Sequence, residues 1–224
     1  MKVFYRISDN GYIKPKLREA SKTFCLDNFL DAFPKNLITV IADRCNPDTI
    51  EMVKLRKLHL IETNLGNAGS YQYALDEACK LDDVIYFVED DYLHKPDAER
   101  ILLEGFSFGD YITLYDHPDK YTKIYSFGEI SKVSRGGLSH WRYTQSTCMT
   151  FAAKSSTLRQ DREIWDKHTK NQHPYDHESF TELQKKGRKI AVCIPGSAIH
   201  VDISSPESLS FVEPWAIRLL IGAN

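Results

Sequence analysis

With 224 residues, 27% of them charged and a formal net charge of −2, the chain can bury a substantial core and carries no global basic field for nucleic acid or an anionic membrane. The five cysteines (Cys25, Cys45, Cys79, Cys148 and Cys193) are scattered without a C-x-x-C pair, which argues against a structural zinc site and for reduced thiols. No window reaches transmembrane length and MKVFYRISDNGY has no apolar leader region, so the expectation is a soluble cytoplasmic protein, whole or one domain of a longer one.

In chain order, KVFYRI (residues 2–7) reads as a first strand, and a helix is expected from Lys22 to Phe33, where Pro34 stops it. LITVIAD (37–43) is a second strand ending in an acid. NPDTIEMVKLRK follows, with Asn46 as N-cap and Pro47 in the first turn. LHLIETN (58–64) is a third strand. LGNAGSYQYALDEACKL then sets Tyr71, Ala74, Leu75 and Ala78 on one helical face, with Ser70 as a candidate cap. VIYFVED (84–90) is apolar nearly throughout, as a central strand covered on both faces requires. PDAER opens another helix, with Asp97 as a candidate cap.

The second half is less regular. YITLYD (111–116) and YTQSTCMTFAA (143–153) read as strands, and the polar, Gly-containing SKVSRGGLSHWRY between them reads as a mobile loop that orders over a ligand. HESFTELQKKGRK is a helix stopped at Gly187, KIAVCI (189–194) a strand, and PGSAIHVD (195–202) a loop. The tail to Asn224 is expected to pack back on the domain. Short apolar runs alternating with helical patterns indicate an α/β fold with a mostly parallel, Rossmann-like central sheet flanked by helices. The expectation is one domain over 1–224, with a nucleotide-binding half to about residue 92 and an acceptor-side half beyond it.

The most informative feature is the triplet Glu89-Asp90-Asp91 that ends the central strand. Unpaired charges are costly to bury, so the triplet belongs where the strand emerges, and in parallel α/β sheets ligands collect at that end. In an extended chain Glu89 and Asp91 point the same way and Asp90 the other. Two converging carboxylates with no fixed basic partner nearby in sequence suit a hard divalent cation, Mg²⁺ or Mn²⁺, which keeps positions open for water and phosphate oxygens. Solvated strand-end acids are the ordinary alternative.

VIYFVEDDYL resembles the metal-binding strand end, a D-x-D-type motif, of GT-A glycosyltransferases, in a family 2-like pattern. NLGNAGSYQYALDEA is similar to that family's Asn/Gly loop and helix. PYDHESFTELQKKGRKIAV is similar to its acidic segment, helix and glycine stop, and AIHVD to its late metal-binding histidine. The resemblance runs from about Val3 to His200. It implies a GT-A fold, with Asp91 as direct metal ligand, Glu89 as second acid and His200 completing the metal site. On the donor side it implies Asp43 against the base, with Arg6, Ser8, Asn67, Gly69, Glu89, Asp90 and Arg135 around the nucleotide. Asp176, eleven positions before Gly187 as in the family, is the implied base, and Glu178 is its rival.

The function implied is transfer of a sugar from a nucleotide-diphosphate donor, a UDP-sugar first, to a glycan or other hydroxyl acceptor, with inversion. The alternatives are a sugar-nucleotide-binding module without turnover, and a metal-dependent nucleotidyltransferase or phosphohydrolase. A nucleotidyltransferase calls for a Gly-rich, Arg-containing loop after the first strand, and SDNGYIKPK has one glycine there. No nucleic-acid partner and no integral membrane segment are expected.

Overall fold

The strands expected from the first ninety residues form in the expected places. The computed structural model describes residues 1–11, 15–17, 19–121, 131–170, 173–203 and 213–221. The strands begin with β1 (Lys2–Ser8), β2 (Ile38–Asp43), β3 (His59–Thr63), β4 (Val84–Glu89), β5 (Tyr92–His94) and β6 (Tyr111–Thr113). They continue with β7 (Ser134–Arg135), β8 (His140–Tyr143), β9 (Phe151–Lys154), β10 (Ile190–Ile194) and β11 (Ala198–His200). The helices are α1 (Lys22–Ala32), α2 (Pro47–Leu55), α3 (Gly66–Cys79), α4 (Ala98–Gly105), α5 (Ser155–Gln160), α6 (Arg162–His168), α7 (Asp176–Lys185) and α8 (Pro214–Ile221). The fold is therefore α/β.

The contacts divide the chain into two units. One comprises Met1–Tyr12, Pro34–Asp90 and Ser146–Arg188. Its strands run in the order β3-β2-β1-β4-β9, parallel throughout except for the antiparallel β4–β9 pair. β1, β2 and β4 are buried on both faces, which accounts for their unbroken apolar runs, whereas β3 is partly exposed at the edge. Tyr71 of α3 meets Phe87 of β4 and Trp165 of α6 edge-on, and Phe151, Trp165 and Phe180 pack into one aromatic cluster. Asn46 caps α2 through Thr49 N–H at 2.9 Å, as its sequence predicts.

The second unit comprises Ile13–Phe33, Asp91–Gln145 and Lys189–Asn224. Its strands run β6-β10-β8-β7, and β11 pairs with β5 as a separate antiparallel ribbon. Helices α1 and α8 close a core against that ribbon: Cys25, Leu93, Ile199, Val201, Ala216 and Leu220 are buried together. The tail thus packs back over 214–221, and residues 204–212 and 222–224 lie outside the described residues. Asn28 of α1 supplies β5 with a partner in place of a strand, accepting from His94 N–H at 2.6 Å and donating to His94 C=O at 3.0 Å.

Four local expectations are corrected. The strand read over 143–153 is two strands, β8 and β9, because the polar run from Thr144 to Thr150 has no alternating apolar face; Thr150 Oγ1 accepts from Glu89 N–H at 3.1 Å. The loop read over 131–143 contains the β7–β8 hairpin. The Glu104 carboxylate holds its turn by accepting from the N–H groups of Gly137 (2.6 Å), Leu138 (2.8 Å) and Ser139 (3.2 Å) and from Trp141 Nε1–H (3.0 Å). The segment 195–202 carries β11 where a plain loop was expected. Ser70 lies inside α3 rather than capping it, since Gly66 at φ +78° turns the chain into the helix earlier.

Candidate functional site

In the first unit the chain proceeds outward from β1 through β2 to β3, then returns to the other side of β1 as β4. β1 and β4 therefore flank the topological switch point, the place where open α/β sheets bind ligands outside the carboxyl ends of their strands. Register sets Ser8 beside Asp43 and Arg6 beside Glu89 at that end. Four of the expected site residues thus come together.

Arg6 is 7% exposed. Its Nη2 donates to the Asn67 carbonyl at 2.9 Å, to the Asn67 side-chain oxygen and to Ser70 Oγ at 3.3 Å, and Tyr71 lies against the guanidinium. Its Nη1 stands 3.8 Å from Glu89 Oε1, while Nε and Nη1 make no hydrogen bond among the described residues. Burial pulls the Arg6 pKa down, and the charge of Glu89, followed by Tyr71, Asp90 and Asp43, opposes that shift. Arg6 therefore ties the end of β1 to the start of α3 and neutralises the first acid of the triplet.

Asp43 is 3% exposed and accepts three hydrogen bonds, from Thr63 Oγ1–H (2.9 Å), Leu65 N–H (2.6 Å) and Gly66 N–H (3.0 Å). It serves the N-terminal N–H groups of α3 that no residue inside the helix can satisfy. Gly69 is explained by packing, because a Cβ there would lie 2.7 Å from Leu65 Cβ. Asp90 accepts from Ser8 N–H at 3.2 Å and so fastens the end of β4 to the end of β1.

Asp91 has different surroundings, all within the second unit. β4 stops at Glu89 and the chain turns at Asp90 and Asp91, so the two-residue alternation expected to align Glu89 with Asp91 does not extend to Asp91. Asp91 Oδ2 lies 3.1 Å from His200 Nε2 and 3.6 Å from Lys16 Nζ, with relative side-chain exposures of 17%, 16% and 30% for Asp91, His200 and Lys16. His200 stacks on Tyr92 at 4.8 Å and 22°, and Tyr115 meets it edge-on. Val201 N–H donates to the Asp91 carbonyl at 2.9 Å. Its basic partners arrive from far along the chain.

Asp91 Oδ2 and His200 Nε2, 3.1 Å apart, are a carboxylate oxygen and an imidazole nitrogen, donor types that suit Mn²⁺ in general. Among the described residues no group of three or more His, Cys, Asp or Glu gathers around one point. Asp176 and Glu178 stand in the first turn of α7, with Tyr175 at the N-cap position. Asp176 accepts from His177 N–H at 2.7 Å, and Glu178 is exposed. Arg135 is exposed on β7, in the hairpin that Glu104 holds. Lys16, Tyr92 and Tyr115 were not singled out from sequence. Only pairings over more than a hundred residues connect Lys16 and Tyr92 to His200.

No family model and no curated protein matches this chain. Solved structures do match in fold. A nucleotidyl transferase from Methanothermobacter superposes with a TM-score of 0.55 at 11% identity over 100% of this chain and 99% of its own. CMP:2-keto-3-deoxy-manno-octonic acid synthetase complexed with CTP gives 0.53 at 14% identity, again over 100% and 99%. GalNAc-T7 with UDP, GalNAc and Mn²⁺ gives 0.59 at 11% identity over 89% of this chain, which spans 43% of that one. The chain therefore has the α/β fold shared by nucleotidyltransferases and GT-A glycosyltransferases.

Proposed function

We propose that the protein is a divalent-metal-dependent glycosyltransferase that moves a sugar from a nucleotide-diphosphate donor, first of all a UDP-sugar, to an acceptor hydroxyl with inversion. The observation that carries this reading is the Asp91–His200 pair, whose Asp91 directly follows Glu89-Asp90 at the end of the central strand's sequence. Asp91 and His200 would hold the cation, and a bound cation takes up the charge that develops on the leaving diphosphate. Arg6 fixes Asn67, Ser70 and the start of α3, while Asp43 fixes the Leu65–Gly66 turn; together they shape the nucleotide's side of the switch point. Ser8 and Asp90 hold the β1 and β4 ends in place.

Asp176 would take the acceptor's hydroxyl proton as that oxygen bonds to the anomeric carbon. The anomeric C–O bond breaks and its electron pair leaves with the diphosphate. Asp176→Asn lowers kcat by about 10²- to 10⁴-fold under this reading, and Glu178→Gln leaves it within a few-fold. A collapse in Glu178→Gln with Asp176→Asn intact would transfer the role to Glu178.

A second reading, nucleotidyl transfer, is favoured by one finding: the nucleotidyl transferase and the synthetase match end to end, whereas the glycosyltransferase match covers less than half of that chain. The two reactions release different products. Incubation with UDP-, GDP-, CMP- and dTDP-sugars and Mn²⁺ is expected to release nucleotide from one donor class. Incubation with nucleoside triphosphates and sugar phosphates is expected to release no pyrophosphate. The reverse outcome would replace the first reading with the second.

A further inference from the structure

We propose that Lys16 is a resident counter-cation for Asp91 that competes with the divalent cation, so that metal enters together with the nucleotide rather than ahead of it. The inference rests on the metal role proposed for Asp91 and adds the group that regulates it. Lys16 Nζ and His200 Nε2 both address the same oxygen, Asp91 Oδ2, at 3.6 and 3.1 Å. The lysine is delivered there by backbone pairing. Lys16 forms an antiparallel bridge with Asp202, Leu17 N–H donates to Val201 C=O at 3.0 Å, and Ile203 N–H donates to Pro15 C=O at 2.9 Å. The same strip is fastened to Asp91 through Val201 N–H. Lys16, His200 and Asp91 therefore reach one point from three segments held by main-chain hydrogen bonds.

An ammonium and a dication cannot share one half-buried carboxylate oxygen without strong like-charge repulsion. Entry of the metal must move Nζ away, and the flexible four-carbon stem allows this while the backbone strip stays paired. A nucleotide diphosphate changes the balance, because its phosphate oxygens offset the added positive charge and accept the displaced ammonium as a point-charge contact. Free metal alone has no such compensation.

The test is Mn²⁺ binding followed by electron paramagnetic resonance on the full chain, with and without UDP, for wild type, Lys16→Met, Lys16→Arg and Asp91→Asn. Thermal melts confirm that each variant is folded. Lys16→Met is expected to bind free Mn²⁺ about fivefold more tightly than wild type, the scale of one partly exposed ion pair, and Lys16→Arg to restore the wild-type value. UDP is expected to tighten Mn²⁺ binding in wild type and to do so less in Lys16→Met. Equal or weaker free-Mn²⁺ binding by Lys16→Met overturns the inference and leaves the metal reading standing. Absence of Mn²⁺ binding in every variant, with UDP present, overturns the metal reading and the inference with it.

Discussion

Asp43 ends β2 with a carboxylate whose acceptors are already engaged by Thr63, Leu65 and Gly66. Asp43→Ala strands buried donors, and a loss of about 2–3 kcal/mol in urea unfolding is expected. Asp43→Asn, which keeps one acceptor, should lose less. Unchanged unfolding with lost nucleotide binding would instead make Asp43 a direct contact to the donor base. His94 carries a second residue-level signature. Burial lowers its pKa from 6.5 to about 3, so the folded state refuses a proton that the unfolded chain accepts. Its stabilisation is fully present above 6.5 and falls as pH drops towards 3. The urea midpoint is expected to fall between pH 7 and pH 5 in wild type, with a flatter slope in His94→Phe; equal slopes would refute the assignment.

At the scale of elements, the β7–β8 hairpin depends on a side chain from another element. Burial acts to raise the Glu104 pKa, but hydrogen bonds from Trp141 and from the Leu138, Gly137 and Ser139 N–H groups outweigh it and leave the pKa below 4.5. A lowered carboxylate pKa stabilises the fold above 4.5, and that contribution is lost as pH falls through the folded-state value. Glu104→Ala should speed amide exchange at Gly137, Leu138 and Ser139 by about tenfold or more at neutral pH. The difference from wild type should shrink in acid, and equal exchange rates at neutral pH would contradict the latch. This element was illegible in sequence because Gly136-Gly137-Leu138-Ser139 shows no strand alternation, while the acid that orders it lies more than thirty positions earlier. β1 to β4 were legible because each carries its own burial pattern. β5 and β11 were not, being three residues long and stabilised by pairing with each other and by Asn28.

At the scale of the whole molecule, the sequence foretold the α/β class and the strand ends where charged groups collect. The partner of each acid was beyond its reach, since Arg6 answers Glu89, Ser8 N–H answers Asp90, and Lys16 with His200 answer Asp91. Each pairing depends on long-range register rather than on local pattern. The fold hosts both nucleotidyl and glycosyl transfer, so architecture alone does not choose between them. The most direct measurement is calorimetry of UDP binding to wild type and Asp91→Asn, each with Mn²⁺ and with EDTA. Under the metal reading, binding to wild type needs Mn²⁺ and falls by at least about tenfold in Asp91→Asn. Binding unaffected by EDTA and by the substitution would contradict it.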